Sequence, residues 1–188
     1  MKPGGYPLRF AALILSAALG ACQPAFINGV PNENSPYFEV PVDSRLVLRD
    51  ALEVPAREDS AYFQRGRTVR WYDVNIYGTW CVLKLAAKRD APQTIQADEF
   101  VVGKVWSERR YYLGAAPGVR LAAMSFDRDD GETYEVMATV MRLHSPRQPE
   151  VVQLVCADWG LPQGGTYLTV HKIRRTLGDY LRLELPSR

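Results

Sequence analysis

Two cysteines sit on the apolar sides of two alternating segments, and this pair constrains the chain more than any other feature. In WCVLKLA, Trp80 to Ala86, Cys81 falls on the same side as Leu83 and Leu85. In EVVQLVCADW, Glu150 to Trp159, Cys156 shares a side with Val152 and Leu154. Alternate residues of a strand face one way, so both thiols point towards a core. Between them, TYEVMATVMRL places Tyr134, Val136, Ala138 and Val140 on one apolar face, and Asp130-Gly131 just before it offers a hairpin turn. A second turn at HSPRQPE leads into the Cys156 strand. The expectation is a three-strand meander at the centre of a sheet.

The same reading predicts strands over Arg45–Val54, Ala61–Gln64, Val69–Val74, Trp80–Ala86, Thr94–Val105, Val119–Phe126, Thr133–Leu143 and Val151–Ala157. They are short, rich in Val, Leu, Tyr and Thr, and separated by Gly, Pro and Asp, which points to a mainly β fold, an antiparallel sandwich or barrel. One helix is expected in TVHKIRRTLG, with Thr169 as N-cap, Val170, Ile173 and Leu177 at helical spacing, and Gly178 as terminator. Its arginines are expected to face solvent. A last strand from Tyr180 to Leu185 puts Leu181, Leu183 and Leu185 on one side.

The chain opens with Lys2 and Arg9, an apolar run from Phe10 to Leu19, and small residues at Gly20 and Ala21. That is the layout of a secretory signal peptide, and a run of about 10 residues is too short to span a bilayer. Leu19-Gly20-Ala21-Cys22 resembles the bacterial lipobox. The resemblance implies cleavage before Cys22, diacylglycerol on its thiol and a fatty acid such as palmitate on the new amino terminus. An ordinary secreted protein cut after Ala21 is the alternative. Gln23 stands where an aspartate often signals inner-membrane retention, so the resemblance implies the outer membrane, with the domain facing the periplasm. The stretch PQTIQADEFVVGKV is similar to one in uncharacterised proteobacterial lipoproteins, which brings no function with it.

The domain reading is therefore a signal peptide at 1–21, a lipidated cysteine and flexible tether at 22–43, and a single β-rich periplasmic domain at 44–188. Pro24, Pro31, Pro36 and Pro41 disfavour helix and sheet in the tether, which if extended reaches up to about 60 Å. As an alternative, Phe26, Ile27, Tyr37 and Phe38 dock part of it on the domain or bilayer. Loss of residues 1–21 removes Lys2 and Arg9 from 23 basic residues and leaves 21 against 21 acidic ones, so the mature charge is zero. Such a chain has no electrostatic case for nucleic acid. The clusters Arg65, Arg67 and Arg70, Arg109 and Arg110, and Lys172, Arg174 and Arg175 read as solvated faces. With Cys22 committed to lipid, Cys81 and Cys156 remain in an oxidising compartment and pair as one disulfide, two separately buried thiols being the other arrangement.

Motifs for chemistry are weak. In DRDDGE, Asp127 to Glu132, glycine falls at the fifth position of a calcium loop instead of the sixth, and Ala138 falls where a bidentate glutamate belongs. His144 and His171 stand in no metal-ligand spacing, no G-x-S-x-G elbow occurs, and the glycines Gly160, Gly164 and Gly165 lack a P-loop lysine. No cofactor and no metal are expected. Trp80 and Trp159, each close to a disulfide cysteine, are candidates to frame a ligand groove. The expected role is a non-enzymatic accessory or protein-interaction domain with an envelope protein as partner. Two alternatives remain: a glycan or peptide hydrolase, which needs residues such as Asp98, Glu99, His144 or Asp158 in one pocket, or a small-ligand or lipid carrier, which needs a hollow cavity.

Overall fold

The computed structural model describes residues 26–27, 30–113, 133–159 and 166–187. Cys22, expected to carry lipid, the calcium-like loop, the Asp130-Gly131 turn, the strand expected at 119–126 and the glycines at 160–165 lie outside them. The described strands are β1 (Phe26–Ile27), β2 (Val30–Pro31), β3 (Arg45–Leu48), β4 (Leu52–Val54), β5 (Ser60–Gln64), β6 (Arg67–Val69), β7 (Trp80–Leu85), β8 (Gln93–Ile95), β9 (Asp98–Leu113), β10 (Thr133–His144), β11 (Val151–Asp158) and β12 (Leu181–Glu184). The helix α1 spans Val170–Leu177. Eight strands form one antiparallel sheet in the order β12-β3-β9-β10-β11-β7-β5-β6, curled into a half-barrel. The mainly β class with one helix near the C-terminus is thus the observed one.

Alternation sorts the sheet into two faces. Cys81, Leu83, Leu154, Cys156, Met141, Phe100 and Leu46 face α1, whose Val170, Ile173 and Leu177 fill the space against them. Trp80, Val82, Val136, Ala138, Val140, Val155 and Ala157 lie on the opposite face with Val74 and Ile76. The expected apolar face of β10 is real, but it belongs to this second cluster, away from the helix. Cys81 and Cys156 are bonded, and they are direct register partners on the neighbouring strands β7 and β11. Their Cα atoms are 4.0 Å apart, the close approach of a non-hydrogen-bonded pair.

Several expectations change. The strand expected at Arg45–Val54 breaks at exposed Arg49 to Ala51, and β4 leaves the main sheet to pair with β8. The strand expected at Val69–Val74 stops at Val69, because the Asp73 N–H turns back to the Arg70 carbonyl in a short 3-10 turn at Trp71–Asp73. The strand expected at Thr94–Val105 divides into β8 and β9, since the Gln96 N–H is taken by the Gln148 side chain at 2.7 Å. The meander partner of β10 is β9, which runs on to Leu113.

The stretch expected to act as a tether is fastened to the domain from Glu33 onward. Phe38 and Val40 are buried in the main core, the Pro36 carbonyl accepts from the Thr166 and Tyr167 N–H groups, and the Glu33 carbonyl accepts from His171. Phe38 therefore docks, whereas Ile27 and Tyr37 are exposed. Among the described residues no helix is long and apolar enough to cross a membrane.

Candidate functional site

At one rim of the sheet, the register that sets Trp80 opposite Ala157 also brings Thr79 beside Asp158. The Thr79 hydroxyl donates to Asp158 Oδ2 at 2.9 Å, and Lys172 Nζ donates to the same oxygen at 2.6 Å. Asp158 is buried at 4 % exposure, so its charge is compensated where water cannot reach it freely. The α1 N-cap orients the lysine: Thr169 Oγ1 accepts from the Lys172 N–H at 3.2 Å, as the sequence predicts.

The opposite wall of this rim is the β5–β6 hairpin. Gln64 pairs with Arg67, so the connection is the two residues Arg65 and Gly66, with φ of 54° and 77°. Two positive φ values in a two-residue loop are the pattern of a type I′ turn, whose twist suits a hairpin. The turn is locked to the helix end. The Gly66 N–H donates to the Thr176 carbonyl at 3.1 Å, and a Cβ on Gly178 would lie 2.5 Å from the Gly66 Cα. The result is a cleft of about 300 Å³, with Arg65 on one wall, Lys172 and Arg175 on the other, and Thr79 and Asp158 along it. Gln64 ties in the adjoining loop, donating to the carbonyls of Asn75 and Thr79 and accepting from the Asn75 N–H.

Beside the cleft lies an aromatic pair. Tyr77 and Trp159 meet edge to face with centroids 5.1 Å apart, and they remain 50 % and 43 % exposed. Behind them Trp80 packs edge-on against Trp71 at 6.1 Å, and Trp71 against Tyr62 at 5.3 Å. Trp80 is only 1 % exposed. The two tryptophans singled out in the sequence thus come near the same rim but differ in exposure: Trp159 is half exposed, whereas Trp80 is buried.

The carboxylates considered for hydrolysis do not gather. Asp158 stands in register with Met137, whereas Asp98 begins β9 beyond the Val101–His144 pair, about 30 Å away along the sheet at about 3.3 Å per residue. Asp98 is itself buried and fully engaged. Ser145 Oγ and Gln148 Nε2 donate to its Oδ2 at 2.7 and 3.0 Å, and the Glu99 N–H and Arg147 guanidinium donate to Oδ1. Burial pushes its pKa up, but the hydrogen bonds from Gln148, Arg147, Ser145 and Glu99 outweigh that and hold the carboxyl well below the usual range. A carboxylate so held is a poor proton donor near neutral pH. Glu99 pairs with Arg45 at the surface at 2.8 Å, and His144 and His171 are exposed. Among the described residues no group of three or more His, Cys, Asp or Glu side chains is placed to hold a metal ion.

Compared with family models, with curated proteins and with solved structures, the chain matches none.

Sequence reasoning missed Tyr77, Thr79, Arg65 and Arg175 as members of one site. Arg65 and Arg175 belong to two clusters 110 residues apart that read as separate solvated faces. The one local signal is Arg65-Gly66 between two strands, a two-residue link that demands left-handed backbone at an arginine.

Proposed function

We propose that this chain is a lipid-anchored protein of the bacterial outer membrane, facing the periplasm, whose β-rich domain is a non-enzymatic accessory module that binds an envelope protein. The observation that carries the binding half is the Tyr77–Trp159 pair, two large rings held edge to face and half exposed at the rim of the sheet. Rigid aromatic rings give much contact area for little lost side-chain freedom, which is why they are enriched at the centres of interfaces. The anchoring half rests on Lys2, Arg9, the apolar run and the lipobox-like Leu19 to Cys22. Three acyl chains would hold the protein to the membrane in effect permanently and raise its local concentration near envelope partners. The separation of Asp98 from Asp158 weighs against the hydrolase reading. The filling of the helix-bearing face by Val170, Ile173 and Leu177 weighs against the carrier.

The test uses the full chain in intact cells, with a photoreactive phenylalanine analogue in place of Tyr77. A discrete crosslinked protein is expected, lost on Trp159→Ala and on Cys22→Ser. An adduct indifferent to Trp159→Ala, or none at good incorporation, overturns the binding half. Normal mature lipoprotein recovered from Cys22→Ser overturns the anchor.

A further inference from the structure

We propose that the cleft between the β5–β6 turn and the C-terminal end of α1 is a binding site for a phosphoryl group, gripped by Arg65 and Arg175. The charges at the cleft are unequal. Arg65, Lys172 and Arg175 line it against one carboxylate, Asp158, and Lys172 is already bonded to that carboxylate at 2.6 Å. Among the described residues Arg65 and Arg175 enter no ion pair, although six other arginines do. Asp158 and Lys172 cancel, so the site offers a net charge close to two from two guanidinium forks. Guanidinium matches phosphate oxygens two by two, and it keeps its charge at any physiological pH.

The walls are fixed in advance. Gly66 and Gly178, both at positive φ, pack back to back, and the Gly66 N–H is bonded to the Thr176 carbonyl, one residue from Arg175. Arg65 itself stands at φ 54°, a conformation for which asparagine or glycine is the cheaper residue. A structural turn gains nothing from an arginine there, whereas a site gains a cation aimed from a rigid support. A simpler role exists for Arg175, since a cation in the last turn complements the helix dipole. That role gives Arg65 no part and predicts no anion binding. The cleft volume of about 300 Å³ admits a phosphoryl group with a small substituent.

The phosphoryl group can belong to free phosphate or to a lipid headgroup. Full-length protein in octyl glucoside, at low salt in a phosphate-free buffer, is titrated calorimetrically with inorganic phosphate and with dihexanoyl phosphatidylglycerol. The variant is Arg65→Gly with Arg175→Gln, in which glycine keeps the left-handed turn. Saturable binding of inorganic phosphate, weakened about tenfold or more by the double variant, supports the site with free phosphate as its source. Binding of the short-chain lipid alone, with the same sensitivity, supports the site and assigns the headgroup. No saturable binding of either probe, or a loss in the folded double variant of less than about tenfold, overturns the proposal. If the double variant fails to fold, Arg175→Gln alone decides, with a loss of about threefold or more expected and a smaller one overturning it.

Discussion

Asp98 accepts five hydrogen bonds from four residues while buried at the start of β9, and three of those residues come from the connection after β10. Removing the charge leaves Arg147 and the other donors facing a weaker acceptor in a water-poor place. Asp98→Asn is expected to destabilise the domain by about 2 kcal/mol in urea unfolding. Arg147→Ala should cost less, about 1 kcal/mol or under, because that side chain is 67 % exposed and the other donors persist. The pH dependence has a definite sign. The folded pKa of Asp98 is depressed, so its contribution is complete above the unfolded value of about 4 and is lost as pH falls from there towards the folded value. The stability gap between the protein and Asp98→Asn should therefore be widest near neutrality and shrink between about pH 4 and pH 2; a constant gap contradicts the assignment. From sequence Asp98 was visible only as a catalytic candidate, because its three side-chain partners lie 47 to 50 residues further on and no local pattern announces them.

At the scale of elements, what was legible was what short-range physics decides. The helix α1 begins after Thr169 and ends at Gly178, as capping chemistry predicts, and the Cys81 and Cys156 strands face the core with the parity that alternation gives them. Long-range competition decided the rest: Gln148 captured the Gln96 backbone and divided one expected strand, and β9 became the partner of β10. The meeting of the β5–β6 turn with the helix end is of this kind, and it makes the two glycines interdependent. Thr169→Ala should cost about 1 kcal/mol through the lost cap. Gly178→Ala should cost more, about 3 kcal/mol, since a methyl group would meet the Gly66 backbone at 2.5 to 2.9 Å and the backbone there, φ 61° and ψ −138°, is nearly closed to alanine. Urea unfolding checks the order; equal losses would mean that the turn and the helix end are not locked together.

Over the whole molecule, the disulfide joins strands that would be neighbours without it. Cys81 and Cys156 form one of six register pairs between β7 and β11, and both side chains are fully buried beneath α1. The bond is therefore not needed to specify which strands meet; its effect lies in the unfolded chain, where it closes a loop of 75 residues. In the chain-entropy treatment that closure stabilises the fold by about 4 kcal/mol. A loss of that size in a domain of roughly 150 residues lowers the melting point by about 8 to 16 °C. Protein unfolded in reductant and refolded with free thiols should recover its near-UV circular dichroism at 25 °C, because the hydrogen-bonded register and the packing of Leu83, Leu154 and Ile173 remain. It should then melt earlier by that interval. Recovery with an unchanged melting point would mean that the unfolded chain is already compact around these strands. Failure to recover the near-UV signal would mean that the cross-link is needed for these two strands to meet, which the register pairing argues against.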